Sequence, residues 1–383
     1  MFEQELHALR EKNLLRRLKV SGAMDGIRAT LDGRLYRLFC TNDYLGLSGH
    51  TEVRAAAKAA IDGAGTGAGS APLISGYTSY HQRLADDIAR FKGAEAGLLF
   101  GSGYVANTSI IPALAGAGDA VFSDELNHAS IVVGCRLSRA DKFIYRHRDM
   151  DSLEALLKAD RPRTMRFIVT EGVFSMDGDV APMPDIMVLA RRYNATVILD
   201  DAHGTGVLGC TGRGTLEHYG LPADNVIQVG TLGKALGSYG AFAAASPDVI
   251  DWLVNGARGF MFSTSLPASV CAAASASLAV IGREPERLVT LRRNAGLLRD
   301  GLRGLGFTVL GEDTPIVPLV VGDAGHALAL SAALMDAGFY APAIRPPTVP
   351  EGGSRVRFTV SALHTEEDIA ELVEAVRRAG ARG

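Results

Sequence analysis

The stretch from Thr196 to Lys234 constrains the fold of this chain more than any other. It opens with Thr196-Val197-Ile198-Leu199, a β-branched apolar run that predicts a buried strand. The run ends in Asp200-Asp201-Ala202-His203-Gly204-Thr205-Gly206, where acid, imidazole and small residues crowd the strand's carboxyl end. A turn-rich connection follows, and a second apolar run, Asn225-Val226-Ile227-Gln228-Val229, leads straight into Gly230-Thr231-Leu232-Gly233-Lys234. In a parallel α/β sheet, ligands sit beyond the carboxyl ends of neighbouring strands. Asp200, His203 and Lys234 are therefore expected to face one crevice.

That trio suits one cofactor. Pyridoxal phosphate takes a lysine for its Schiff base and an acid that keeps its ring nitrogen protonated. His203, three residues past Asp200, is placed to donate to the phenolic oxygen. Taken singly, Lys234 reads as a surface lysine and Asp200 as a cap for the next helix. The ordered set of strand, Asp-x-x-His, strand and Gly-Thr-x-Gly-Lys argues against that plainer account.

Composition removes other classes. At 383 residues the chain is long for one core, which predicts two domains. A net charge of −3 leaves no basic footprint for nucleic acid. No apolar run approaches the length of a membrane span, and Met1-Phe2-Glu3-Gln4-Glu5 lacks the pattern of a signal peptide. Cys40, Cys135, Cys210 and Cys271 are isolated, with no spacing for zinc or a redox dithiol. The expectation is a cytoplasmic protein with idle thiols and no metal, membrane or nucleic-acid partner.

The rest of the chain extends the α/β reading. Leu6, Leu9, Leu14, Leu15 and Leu18 amid charges predict an amphipathic helix over 3–18, of the kind that packs on a partner. Asp32-Gly33 predicts a hairpin turn. A polar and aromatic loop, 41–47, precedes an Ala-rich helix at 51–61. The glycine-rich stretch 63–76 offers Gly-x-Gly spacing, but a helix precedes it where a dinucleotide fingerprint needs a strand. A helix at 79–92 leads to a strand at 97–100 and to Gly101-Ser102-Gly103-Tyr104, a strand-to-helix turn. Such a turn presents free N–H groups to a phosphate, with Ser102 and Asn107 as further donors, or is simply a tight connection. The next strand, 120–122, leads to Asn127-His128 at a helix start, where a histidine serves as a cap or stacks on a flat ring. Strands at 143–145, 167–170 and 241–244 alternate with helices, which predicts a mostly parallel sheet covered on both faces. A long helical region, 268–304, leads into strands at 307–310, 315–321 and 355–361 and helices at 325–337 and 365–379. The expected division is an arm with a hairpin at 1–50, a large cofactor-binding domain at 51–282 and a small α+β domain at 283–383.

These residues resemble the α-oxoamine synthases, pyridoxal-phosphate enzymes of fold type I. The likeness runs from Asn42-Asp43-Tyr44-Leu45-Gly46 to Arg355-Val356-Arg357 and rests on 171–179, 200–206 and Thr231-Leu232-Gly233-Lys234. It implies Lys234 as the Schiff-base lysine, Asp200 as partner of the pyridine nitrogen, His203 on the phenolic oxygen and His128 stacked on the ring. It places Ser102, Gly103, Tyr104 and Thr231 around the phosphate, joined by Ser263 and Thr264 from the other subunit of a homodimer with shared sites. Asn42, Ser175 and Arg357 fall where the family holds the substrate carboxylate, with Ser175 also at the cofactor. For the Arg355 and Arg357 pair, the plainer account is a solvated face of an edge strand. Arg16 falls near the acyl site. Ile344-Arg345-Pro346-Pro347-Thr348-Val349-Pro350 matches the branch that condenses L-alanine with pimeloyl-coenzyme A or pimeloyl–acyl carrier protein. Within that loop Arg345 either orients the chain or meets the acyl end, and Thr348 joins the substrate set. Ala71-Pro72 stands where the family commonly has a basic residue, which bears on the acyl donor. Sister synthases that use glycine or serine share these motifs. A non-catalytic partner subunit is expected to have lost Lys234.

Overall fold

The computed structural model describes residues 1–380. It begins with α1 (Glu3–Glu11), shorter than the expected 3–18 because Asn13 takes a left-handed φ of 56°. A left-handed residue just past a helix ends the ladder of i→i−4 bonds. Every residue of α1 is exposed. An antiparallel meander follows: β1 (Ser21–Asp25), β2 (Arg28–Leu31) and β3 (Arg34–Leu38). Asp32 and Gly33, with φ of 50° and 81°, form the two-residue turn that Asp-Gly predicts.

Next come α2 (Thr51–Ala64) and α3 (Ser79–Lys92). The second is bounded by local chemistry, a Thr78–His81 capping box at its start and left-handed Gly93 at its end. From there strand and helix alternate: β4 (Ala96–Phe100), α4 (Gly103–Leu114), β5 (Ala120–Asp124), α5 (Ala129–Leu137), β6 (Asp141–Tyr145) and α6 (Met150–Ala159). The alternation continues through β7 (Arg166–Glu171), α7 (Met183–Arg192), β8 (Thr196–Asp200), α8 (Thr215–His218), β9 (Val226–Thr231) and β10 (Ala241–Ala245). Three helices close this part: α9 (Pro247–Gly256), α10 (Arg258–Met261) and α11 (Ala268–Arg283).

These seven strands form one sheet in the order β4-β10-β9-β8-β7-β5-β6. Only β10 runs against its neighbours, β4 and β9. Successive residues of each strand serve opposite faces: Ile198 joins a core with Phe100 and Ile110, while Val197 and Leu199 join another with Leu153 and Ile186. Two buried faces explain why β8 reads as a continuous apolar run rather than an alternation. Gly230 is required where Phe242 crosses it, since a Cβ there would lie 2.3 Å from the ring.

The helical run expected over 268–304 breaks at Glu284-Pro285, and α12 (Glu286–Gly304) starts afresh. Proline has no N–H for the ladder. Then follow β11 (Ile316–Gly322), α13 (Ala324–Asp336), β12 (Phe339–Tyr340), β13 (Ala343–Ile344), β14 (Ser354–Thr359) and α14 (Glu366–Gly380). The strand expected at 307–310 is absent; only Val309 bridges to Leu319. The chain divides into two compact units. One contains Leu47–Phe174 and Val180–Pro285, with the seven-stranded sheet; the other contains Met1–Gly46, Ser175–Asp179 and the chain from Glu286 on. In the second unit β12 pairs in parallel with β3, which draws the N-terminal segment into the C-terminal body rather than leaving a separate arm. Its other sheet has the order β11-β14-β13, so β14 is central.

His364 anchors this unit. Its Nδ1 accepts from Ser361 N–H at 2.9 Å, its Nε2 lies 3.1 Å from the Leu38 carbonyl, and its ring stacks on Phe39 with centroids 4.0 Å apart. Burial lowers its pKa from 6.5 to about 4. The unfolded chain therefore takes up the proton first, so the contribution is whole above pH 6.5 and fades as pH falls towards 4. A shift of that size is worth about 3 kcal/mol. Urea unfolding at pH 7 and pH 4 is expected to show this loss, and His364→Gln to lower stability at pH 7 while flattening the pH dependence.

Candidate active site

The carboxyl ends of β4, β5, β8 and β9 gather one set of polar side chains in the larger unit. Asp200 closes β8, buried, with Oδ1 accepting from Ala202 N–H at 3.0 Å and Oδ2 from Asn107 Nδ2 at 2.6 Å. His203, also buried, has Nε2 2.7 Å from Lys234 Nζ. Thr231 shapes the lysine's loop: its hydroxyl donates to Gly240 O at 3.0 Å and accepts from Gly233 N–H at 3.2 Å. His128 is the N-cap of α5, and its exposed ring feels both Asp200 and Lys234. Partial desolvation lowers its pKa; Asp200 opposes the shift and Lys234 adds to it.

At the start of α4, Ser102 accepts from Val105 N–H at 3.2 Å as the N-cap. Gly103 and Tyr104 open the helix, and a Cβ on Gly101 or Gly103 would meet nothing within 4 Å. Ser263 and Thr264, in the loop after α10, line a small cavity together with Gly101, Phe100, Pro72 and Tyr77. Asn107 departs from expectation. Its amide points at Asp200 and Ser130 from the second turn of α4, so it is not a phosphate donor.

The other unit holds two guanidinium clusters. On β14 both Arg355 and Arg357 are buried, and a central strand replaces the solvated edge considered for the pair. Arg355 bonds Asp177 Oδ1 at 2.7 Å and Met176 O at 3.0 Å, which pins the 175–179 segment. Arg357 Nε donates to the Ser175 carbonyl. Tyr44, which the sequence offered only as a motif member, is fully buried beside the Arg357 guanidinium and donates to Asn42 Oδ1 at 3.2 Å. Burial raises the Tyr44 pKa and the Arg357 charge offsets part of the rise.

The second cluster joins Arg16, Arg345 and Thr348. Arg16 donates to Pro346 O at 3.3 Å and Thr348 Oγ1 at 3.4 Å. Arg345, 8% exposed, donates from Nη1 to Asn13 O, while its Nε has no hydrogen-bond partner among the described residues. Burial and the nearby Arg16 charge lower the Arg345 pKa.

A profile of the aminotransferase class I and II family matches residues 37–376. The chain belongs to that family. An 8-amino-7-oxononanoate synthase from Geobacter sulfurreducens is 50% identical over 378 residues, covering 98% of this chain and 97% of the relative. Among solved structures, serine palmitoyltransferase from S. paucimobilis with bound PLP–myriocin aldimine superposes with a TM-score of 0.95 at 30% identity, covering 100% of this chain and 98% of that one. An 8-amino-7-oxononanoate synthase from Francisella tularensis gives 0.79 at 26%, covering 91% and 98%. This member of the aminotransferase family is an acyltransferase of the α-oxoamine synthase type, and pyridoxal phosphate is its cofactor.

The donor set fits that cofactor. A buried acid held by two donors suits a cationic ring nitrogen, an amine beside an imidazole suits the aldehyde carbon, and a helix start with room at Gly101 and Gly103 suits a phosphate. Borohydride reduction of the loaded chain should trap the cofactor on the peptide that carries Lys234. Lys234→Ala should lose both the trapped adduct and the visible band, and an adduct on another lysine would refute the assignment.

Proposed function

We propose that this family member condenses L-alanine with a pimeloyl thioester, carried by coenzyme A or acyl carrier protein, and releases carbon dioxide, free thiol and 8-amino-7-oxononanoate for biotin synthesis. The observation that carries the reading is identity of about half over nearly the whole chain to relatives of that name. The serine palmitoyltransferase neighbour matches the backbone better but the residues less, at 30% identity. Backbone likeness reports the fold, while substrate choice lies in side chains.

Pyridoxal phosphate supplies an electron sink for the pair left at Cα when its proton or carboxylate departs. In this proposal Lys234 would hold the cofactor and would carry the Cα proton, its amine lying 2.7 Å from His203 Nε2. Asp200, held by hydrogen bonds from Asn107 and the Ala202 N–H, would face the ring nitrogen and favour its protonated form. His128 would lie against the ring. Ser102, Gly103, Tyr104 and Thr231 take the phosphate, with Ser263 and Thr264 from a second copy in a homodimer. Arg357, anchored by its Nε on the Ser175 carbonyl, takes the substrate carboxylate beside Asn42 and so selects which Cα bond breaks. Arg16, Arg345 and Thr348 receive the far end of the acyl chain, where a pimeloyl group carries a carboxylate or its ester. The setting is the cytoplasm; among the described residues no helix is long and apolar enough to cross a membrane.

Mass spectrometry of products from alanine, glycine and serine, each with a panel of thioesters, tests the substrate pair. Alanine with pimeloyl thioester is expected to turn over best, with glycine slower, and a preference for glycine with acetyl-coenzyme A would overturn the assignment. Arg345→Ala should raise KM for the thioester by about tenfold or more, the scale of a charge-assisted hydrogen bond, and leave the spectral response to alanine intact. For the shared site, mixing Lys234→Ala with a protomer changed at both Ser263 and Thr264 should restore part of the activity. Full activity in a sedimenting monomer would refute the dimer.

A further inference from the structure

A line of hydrogen bonds joins the two ends of the cofactor site through residues to which the reading above gives no catalytic role. Asn107, on α4, is 1% exposed. Its Nδ2 donates to Asp200 Oδ2 at 2.6 Å and to Ser130 Oγ at 2.9 Å. Ser130, on α5 and also 1% exposed, has its hydroxyl 2.7 Å from His128 Nδ1. The same Nδ1 receives the Ser130 backbone N–H at 3.2 Å.

Each direction in this line is forced. A backbone N–H only donates, so Nδ1 accepts and the ring proton belongs on Nε2. With Nδ1 an acceptor, the Ser130 hydroxyl donates to it and uses its oxygen to accept from Asn107. Turning the Asn107 amide over would set its Oδ1 against the Asp200 carboxylate. In the observed orientation Oδ1 has no protein partner among the described residues, so contact with the acid is kept at the expense of the amide's own acceptor. The helices are held close enough for this by Gly134, where a Cβ would lie 2.6 Å from the Asn107 carbonyl oxygen.

We propose that Asn107 and Ser130 are positioning residues that couple Asp200 to His128, fixing the acid's orientation and holding the imidazole as its Nε2–H tautomer. The proposal rests on the reading of Asp200 and His128 as cofactor contacts. The coupling links the group under the ring nitrogen to the group against the ring face, so that a change at one end is felt at the other. The charged groups facing His128 are Asp200 from β8 and Lys234 from the loop after β9. Both remain in every variant named here, so a shift at His128 reports on the line itself.

The test uses the full chain with ¹⁵N-labelled histidine, His128 signals being those lost in His128→Gln. Wild type is expected to show Nδ1 unprotonated and Nε2 protonated at neutral pH. Ser130→Ala should raise the His128 titration midpoint by about half a pH unit, about threefold in proton affinity, the size of one neutral hydrogen bond. Ser130→Thr, which keeps the hydroxyl, should return it. Asn107→Ala touches no atom of His128, yet should move the same midpoint upward. It should also raise the dissociation constant of pyridoxal phosphate by about tenfold. Asn107→Leu, which fills much of the same space without an amide or a charge, stands in if the alanine variant folds poorly, and should act in the same directions. His128 signals unmoved by both Asn107 variants would overturn the proposal, as would cofactor affinity within twofold of wild type. A chain that binds no pyridoxal phosphate would remove the cofactor reading, while the histidine signals would still decide the hydrogen-bonded line.

Discussion

A buried ion pair, Lys92 with Asp201, holds the segment on which the cofactor chemistry stands. Both side chains are fully buried and meet at 2.6 Å. Lys92 Nζ also donates to Thr205 Oγ1 at 3.2 Å and to the Arg213 carbonyl, while Asp201 accepts from the backbone and hydroxyl of Thr215. Asp200 and Asp201 are adjacent acids with opposite tasks, one turned to the ligand side and the other to this internal knot. A pair of this kind gives little net stability over an apolar packing, but losing one partner leaves a bare buried charge, at about 3–5 kcal/mol. The knot therefore fixes where His203 lies more than it adds to the fold's stability. It also accounts for the glycines around it. A Cβ on Gly204 would lie 2.0 Å from Asp201 Oδ1, and one on Gly214 would lie 1.8 Å from Oδ2. Part of the small-residue pattern after β8 thus answers to an internal carboxylate, not to the ligand.

The features legible in the sequence were those with local causes. The buried strands β8 and β9 show as unbroken apolar runs, and α3 shows to the residue because Thr78 and Gly93 mark its ends. The turn at Asp32-Gly33 follows from the same kind of local chemistry. What escaped depends on distant partners. The run at 307–310 has strand-like residues, yet it makes one bridge and no ladder. The N-terminal segment joins the C-terminal body through β3 and β12, a pairing across some three hundred residues that no local pattern announces. Asn107 follows the glycine turn, and from sequence alone it reads as a further donor to a phosphate held there. Its actual partner is set by which rung of α4 faces Asp200. Arg355 and Arg357 were visible as a same-side pair, and only the position of Asp177 distinguishes their tasks.

The two arginine clusters differ in how their charges are met, and the difference bears on function. Arg355 has a carboxylate and a carbonyl, and is satisfied within the protein. Arg357 is tied through Nε to a backbone carbonyl, which orients the guanidinium without neutralising it. Arg345 has a carbonyl on one nitrogen, no partner for Nε among the described residues, and Arg16 as its charged neighbour. Burying a cation beside another cation is unfavourable unless something offsets it. The fall in the Arg345 pKa expresses the same cost. An anionic group between Arg16 and Arg345 would relieve the repulsion and complete the missing hydrogen bond.

From this follows an asymmetry in selectivity. On the proposed reading, the amino-acid end would distinguish alanine from glycine by one methyl group, worth about 1–3 kcal/mol in an apolar pocket. A site of that kind slows the wrong substrate without refusing it. The acyl end would distinguish by charge-assisted hydrogen bonds to groups that stay unsatisfied when the wrong chain binds, and such sites discriminate far more strongly. Pro72, beside Gly101, Ser263 and Thr264, brings no charge to the small cavity they line. It leaves the pair at Arg16 and Arg345 untouched. On the proposed reading, the arginines at 16 and 345 would decide the acyl donor more sharply than the other end decides the amino acid.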